Sequence, residues 1–125
     1  MNRFLPYLFT TILVFCSAML RGQAVQKQSF TGGRDAGVCF AIGDKLYSGG
    51  GVGYKDFMEY DPATDTWDNI GNVPGVKYER SFCVSLAING KGYVGIGNDS
   101  FNQKLMYDWW EYDPAGNQWT RKADF

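Results

Sequence analysis

Histidine is absent from this chain. That removes the commonest metal ligand and the commonest general base at neutral pH. Charge of one sign is not in excess either: 12 Lys and Arg stand against 13 Asp and Glu. Composition therefore gives no reason to expect a nucleic acid or an anionic membrane surface as partner. No phosphate-cradling loop, no Cys/His metal spacing and no Ser-His-Asp set occurs, so no metal and no cofactor is expected. Beyond the first two dozen residues there is no apolar stripe at helical spacing. What is present is Gly, 16 of 125 residues, and aromatic side chains, 17%. That mixture suits short strands joined by tight turns.

The N-terminus reads differently. Asn2 and Arg3 open a short basic region, Phe4–Leu20 is mostly apolar, and Arg21 closes the run. As a helix it would span about 25 Å, short of the roughly 30 Å hydrocarbon core of a bilayer. Gly22-Gln23-Ala24 offers small residues where a signal peptidase reads. A signal peptide over 1–24 is expected, cleaved after Ala24, with Ala18 as a second site and an uncleaved anchor as the alternative. Bulky Phe15 before Cys16 argues against a lipid-modified cysteine. The chain is thus expected to be secreted, or to lie at the cell surface or in the periplasm, with no membrane contact after cleavage.

The remainder is a repeat. Arg34–Tyr47 realigns with Arg80–Tyr93, 46 positions later, and Glu59–Trp67 with Glu111–Trp119, 52 positions later. The difference is an insertion, placed around Asn98 to Lys104. A third echo sets Ala24–Phe30 against Trp119–Phe125. Residues 25–30 are therefore expected to form the last strand of a preceding unit, with one unit over 34–71 and another over 80–122. Each unit reads as four strands, and this period with these turn residues points to propeller blades. The first strands, Ala36–Ile42 and Phe82–Ile88, are apolar almost throughout, as for strands covered on both faces. Lys45–Gly49 and Gly92–Ile96 follow, then Asp56–Tyr60 and Asp108–Tyr112, then Thr66–Ile70 and Gln118–Lys122. Gly43-Asp44 and Asn89-Gly90 fit two-residue hairpins that need positive φ. Asp61-Pro62 and Asp113-Pro114 fit turn starts.

Gly49-Gly50, then Tyr60 and Trp67, with Tyr112 and Trp119 at the same spacing of seven, resemble the Kelch repeat. Gly95-Ile96-Gly97 departs from its glycine pair. The resemblance covers about residues 25–125 and implies an all-β fold: two four-stranded Kelch blades, a partial β-propeller of secreted bacterial type. Propellers close with about 4 to 8 blades, so a fragment of a larger propeller is expected, with self-association through unpaired blade faces as the alternative. Family members are mostly binding scaffolds, and a few are enzymes, such as galactose oxidase and a sialic-acid mutarotase. Copper chemistry of the galactose-oxidase kind needs His, which this chain lacks. The function expected is a non-catalytic, extracytoplasmic binding module with a protein or glycan ligand. Part of a sugar-modifying, mutarotase-like enzyme is the alternative.

Candidate site residues follow from the same alignment. Arg34 and Arg80 recur before the first strands, on the edge where the loops joining strands two and three also lie. They suit bidentate capture of a carboxylate or sugar acid, or else pairing with Asp56 and Asp108. The inserted loop breaks the symmetry of the repeat, which makes Asn98, Asp99, Phe101 and Lys104 candidate ligand contacts. Trp109 and Trp110, like Phe57 and Met58, should face opposite sides of a blade. Cys39 and Cys83 share a side-chain parity on successive units and so do not face each other; free, buried thiols are expected.

Overall fold

The computed structural model describes residues 24–30 and 32–125. The expected signal peptide lies outside them, apart from Ala24. All regular structure among the described residues is strand. The first sheet comprises β1 (Val38–Ile42), β2 (Lys45–Gly49), β3 (Asp56–Asp61) and β4 (Thr66–Asn72), antiparallel and in chain order. The second comprises β5 (Val84–Ile88), β6 (Lys91–Gly95), β9 (Trp109–Asp113) and β10 (Gln118–Lys122), in the order β5-β6-β9-β10. Between β6 and β9 the insertion folds into a ribbon of its own, β7 (Asn98–Asp99) paired with β8 (Lys104–Leu105).

Each of the eight strands expected within the two units is present, and the ends differ for a local reason; residues 25–30, expected as the last strand of a preceding unit, form no strand and lie along the first sheet through two hydrogen bonds and the Phe30–Trp67 contact. Ala36 and Phe82 both take φ 54°, so the first strands start two residues later than their apolar runs. The hairpin after β1 turns on Gly43 at φ 59°, and the one after β5 on Asn89 and Gly90 at φ 51° and 75°. The carboxylates of Asp61 and Asp113 accept the N–H of Ala63 and Ala115 at 2.8 and 3.0 Å, closing the third turn of each unit.

The two sheets pack face to face, with β1 against β5 and β6. Their core is aromatic. Phe40 stacks on Tyr47 and Phe57 at centroid distances of 5.4 and 5.6 Å, and across the seam Tyr47 meets Tyr112 at 5.5 Å and Phe57 meets Trp119 at 5.4 Å. Such contacts add about 0.5–1.5 kcal/mol each beyond area burial. Gly92 makes the seam close: a Cβ there would collide with the Phe40 ring. Trp109 and Trp110 do face opposite sides, since each pairs with a different neighbour along β6, Gly95 and Val94.

Two expectations are corrected. β1 buries Val38 and Phe40 but exposes Cys39 and Ala41, and β5 exposes Val84, Leu86, Ala87 and Ile88. Continuous apolar strands were expected to be covered on both faces; here the sheets cover only the faces they turn to each other. Both thiols are free as expected, but Cys39 is exposed and Cys83 half-buried. Cys39 lies on the face of β1 that turns away from the second sheet. Burial pushes the Cys83 thiol pKa up, so it stays protonated and a poor nucleophile.

Candidate functional site

The loops that precede β1 and β5 and those that join β2 to β3 and β6 to β9 meet on one edge. Backbone bridges lock them together. Gly51 N–H donates to the Arg80 carbonyl at 2.8 Å and Arg80 N–H to the Tyr54 carbonyl at 3.1 Å. Ser81 and Asn98 exchange N–H and carbonyl at 2.9 and 2.8 Å.

Two arginines stand beneath this edge. Arg34 grips Asp56 through both terminal nitrogens at 2.6 and 2.5 Å and donates to the Gly50 carbonyl at 3.2 Å. Its guanidinium lies between the rings of Phe30 and Tyr54, 4.7 and 4.1 Å from their centroids. Arg80, 0% exposed, grips Asp108 at 2.9 and 3.2 Å and also donates to the carbonyls of Pro74, Ile96 and Asp108. The Arg34 bonds hold the Asp56 carboxyl below its ordinary value. For Asp108 burial is the largest influence and pushes upward, but the bonds from Arg80 and from the Trp110 indole outweigh it and leave the pKa lowered. Both guanidiniums are thus engaged within the protein, and each ties the start of its unit to the same unit's third strand.

The ribbon brings its residues to the edge in different roles. Asn98 holds the ribbon to Ser81 through its backbone. Asp99 is buried and closes the ribbon's turn, accepting the Asn102 N–H at 3.1 Å and the Asn102 side-chain amide at 2.6 Å. Phe101 is exposed and packs at a tilt of 46° against the Tyr78 ring, centroids 4.1 Å apart. Lys104 is exposed and lines an open groove of about 380 Å³ with Trp110, Arg121 and Asp124. Arg121 grips Asp124 with two bonds of 2.9 Å. On the other side of Met106 and Tyr107 an apolar groove of about 530 Å³ is lined by Phe82, Ile96 and Phe125. Of the six expected contact residues, Phe101 and Lys104 are exposed, and Asn98 is half-buried at the lining of the apolar groove.

The sequence reading passed over Glu79. It is buried, 6% exposed, and accepts the Gly53 N–H at 2.5 Å. That bond, with a contribution from Ser100 of the ribbon, holds its carboxyl below the usual range. It ties the segment ahead of β5 to the β2–β3 loop of the first sheet. The alignment sets Gly33 opposite it, so this break in the repeat was the available signal. Among the described residues no three His, Cys, Asp or Glu side chains cluster as metal ligands would. The edge offers exposed cations beside aromatic faces, a combination that suits a carboxylated, polyhydroxylated ligand.

No protein-family model matches the chain. It is 36% identical over 115 residues to the N-acetylneuraminate epimerase of Pasteurella multocida (strain Pm70), across 86% of this chain and 29% of that protein. It is 34% identical over 89 residues to the protein of the same name from Yersinia enterocolitica (serotype O:8, biotype 1B), across 66% of this chain and 22% of that protein. The chain spans less than a third of the length of these curated relatives. Among solved structures, that of YjhT superposes with a TM-score of 0.66 at 20% identity, over 79% of this chain and 41% of the other. YjhT is a β-propeller, and the two four-stranded sheets described above are two blades of such a fold. The expected non-catalytic binding module is overturned by these relatives, which carry an enzyme's name and favour the sugar-modifying alternative.

Proposed function

We propose that this chain is part of a sugar-modifying Kelch-type propeller that acts, as an epimerase of the mutarotase kind, on N-acetylneuraminate or a closely similar sugar acid. The observation that carries this reading is the 36% identity to the Pasteurella multocida epimerase across 86% of the chain. The chemistry at the loop edge supports it. Such a substrate carries a carboxylate, and Lys104 and Arg121 share one groove with the Trp110 indole. In this reading the cations hold the carboxylate and the aromatic surface takes an apolar face of the sugar. Interconversion of anomers moves a proton from the anomeric hydroxyl and delivers one to the ring oxygen, then reverses both on the other face. It therefore calls for no cofactor and no net change in charge. Arg34 and Arg80 serve as posts that position the edge, through Asp56 and Asp108.

The test is the approach to anomeric equilibrium of freshly dissolved N-acetylneuraminate, followed by proton NMR with and without the protein. Faster equilibration, together with a several-fold rise in KM at unchanged kcat for Lys104→Ala, is expected. A rate equal to buffer with no ligand-induced shifts in the protein spectrum would sink the reading.

A further inference from the structure

Cations borne by the sheets are paired. Lys45, Lys91, Arg121 and Lys122 each have a carboxylate in ion-pair reach, as Arg34 and Arg80 do beneath the loop edge. Lys55 of the β2–β3 loop and Lys77 of the segment ahead of β5 have none among the described residues. These two stand together. Lys55 Nζ donates to the Lys77 carbonyl at 3.0 Å, which gathers two cationic side chains at one residue. The acids next to them in sequence are already engaged: Asp56 with Arg34, and Glu79 with the Gly53 N–H. Positive charge at this corner is left for an anion from outside.

An aromatic platform adjoins the lysines. Lys77 Nζ lies 5.0 Å from the centroid of the Tyr78 ring, and Tyr78 packs against Phe101. The two rings are 41% and 67% exposed. The backbone under them is pinned. Tyr78 precedes three buried residues, Glu79, Arg80 and Ser81, whose bonds tie the segment to the β2–β3 loop on one side and to the ribbon on the other. Rings on a fixed backbone lose little freedom when a ligand settles on them. The ribbon's turn adds exposed amide groups, Asn102 and Gln103.

We propose that this corner is a binding site for a carboxylated glycan. One sugar unit lies with an apolar C–H face on the Phe101 and Tyr78 rings, and its carboxylate meets the ammonium groups of Lys55 and Lys77. An anionic lipid surface is the competing occupant. It asks for an apolar face wide enough to enter the headgroup layer, whereas polar turn residues flank these rings. The site stands apart from the groove of the proposed reaction, since none of Lys55, Lys77, Tyr78 and Phe101 lines that groove. It reads a carboxylate and a ring face, not a free anomeric hydroxyl. A sugar acid still joined to a glycan through its anomeric carbon should therefore bind.

The probe is sialyllactose, titrated into the isotope-labelled full chain and followed by amide NMR. Lactose is the neutral control, and a glucuronate-bearing disaccharide separates the two sources of carboxylate. Signals of Lys77, Tyr78 and Phe101 should move with one or both acidic sugars at millimolar concentration, and less as salt rises. Phe101→Ala, and Lys55→Gln combined with Lys77→Gln, should each weaken binding about tenfold or more with strand circular dichroism unchanged. Lys104→Ala, which alters the groove, should leave this binding as it is, so the two readings fail separately. The proposal is overturned by no shift at these residues, by shifts confined to the groove, by an equal response to lactose, or by full binding in the double lysine variant. Sedimentation with phosphatidylserine vesicles that the double variant abolishes, without any response to sugar, would assign the corner to a membrane instead.

Discussion

The first and second sheets have matched residues in matched register, and their burial differs sharply. Val38 and Val84 occupy equivalent places on β1 and β5, yet one is buried and the other is nearly half exposed. Glu59 and Glu111, Asp61 and Asp113, Tyr60 and Tyr112 likewise pair across the repeat. What separates the sheets is the neighbour. Burial in a repeat protein belongs to the seam between units and not to the unit, so the stability of each sheet depends on what covers it. The second sheet supplies that cover for the first.

The comparison can be broken hardest at the arginines. Arg80 and Arg34 are equivalent, and both grip an aspartate, but their settings differ: side-chain exposures are 0% and 12% for Arg80 and Asp108, against 8% and 29% for Arg34 and Asp56. Arg80→Met strands a buried carboxylate and frees the carbonyls of Pro74 and Ile96, which should cost about 3–5 kcal/mol. Arg34→Met leaves Asp56 in reach of water and should cost about 1.5–3 kcal/mol. Urea unfolding midpoints measure both. Equal losses would mean that the depth of the second pair adds nothing.

A smaller effect is expected at the seam. Gly92 has Leu46 as its counterpart, and only Gly92 faces a ring. Gly92→Leu should force Phe40 off its seat and cost about 1–3 kcal/mol. The loss should show in near-ultraviolet circular dichroism, which reports the packing of Phe40, Tyr47 and Tyr112 across the seam.

Much of this arrangement was legible in the sequence because turns and periodicity are local. The hairpins at Gly43-Asp44 and Asn89-Gly90, the Asp-Pro turns and the four strands of each unit follow from residue type alone; the pairing of each arginine with an aspartate of its own unit stood as one of two readings, beside capture of a ligand carboxylate. Exposure of β5 was not legible. An apolar run such as Val84–Ile88 states that a strand can be covered on both faces, not that it is. The split within the site was hidden for a similar reason. Asp99 and Lys104 look alike as polar loop residues, and only the ribbon's register shows that the carboxylate closes a turn while the ammonium faces solvent. Glu79 had no motif, and its significance rests on the Gly53 N–H brought to it from the neighbouring unit.

Acid should probe the same pairs more gently. Asp56 and Asp108 both titrate below the ordinary carboxylate value in the fold. A depressed folded pKa contributes stability above the unfolded value, about 3.9 for Asp, and that contribution is lost as pH falls through the folded value. Unfolding midpoints should thus hold steady near neutrality and fall below about pH 4. Asp108→Asn should flatten that fall while lowering stability at pH 7. A parent and variant with parallel pH profiles would show that the Arg80 pair does not couple protonation to folding.

The smallest expected effect is a gain, and it sharpens the comparison at a single backbone position. Gly50 and Gly51 take φ 61° and 106°; Ile96 and Gly97 take φ 49° and 105°. The second sheet thus copies the first sheet's backbone with a β-branched residue at a left-handed position, where an L side chain costs about 1–2 kcal/mol. In the first sheet no side chain fits, because a Cβ on Gly50 would stand 2.5 Å from the Arg80 carbonyl oxygen. Ile96 has no docked sheet pressing on it, so the strain is local to its own backbone. Ile96→Gly relieves that strain but returns freedom to the unfolded chain, an offset of about 0.4–1 kcal/mol. A net gain on the order of 0.5–1 kcal/mol follows, seen as a higher urea midpoint at unchanged slope. Gly50→Ile, the mirror substitution, should instead disrupt the seam. If Ile96→Gly lost stability, the Ile96 side chain would have to contribute more through its packing against the apolar groove than its backbone strain costs.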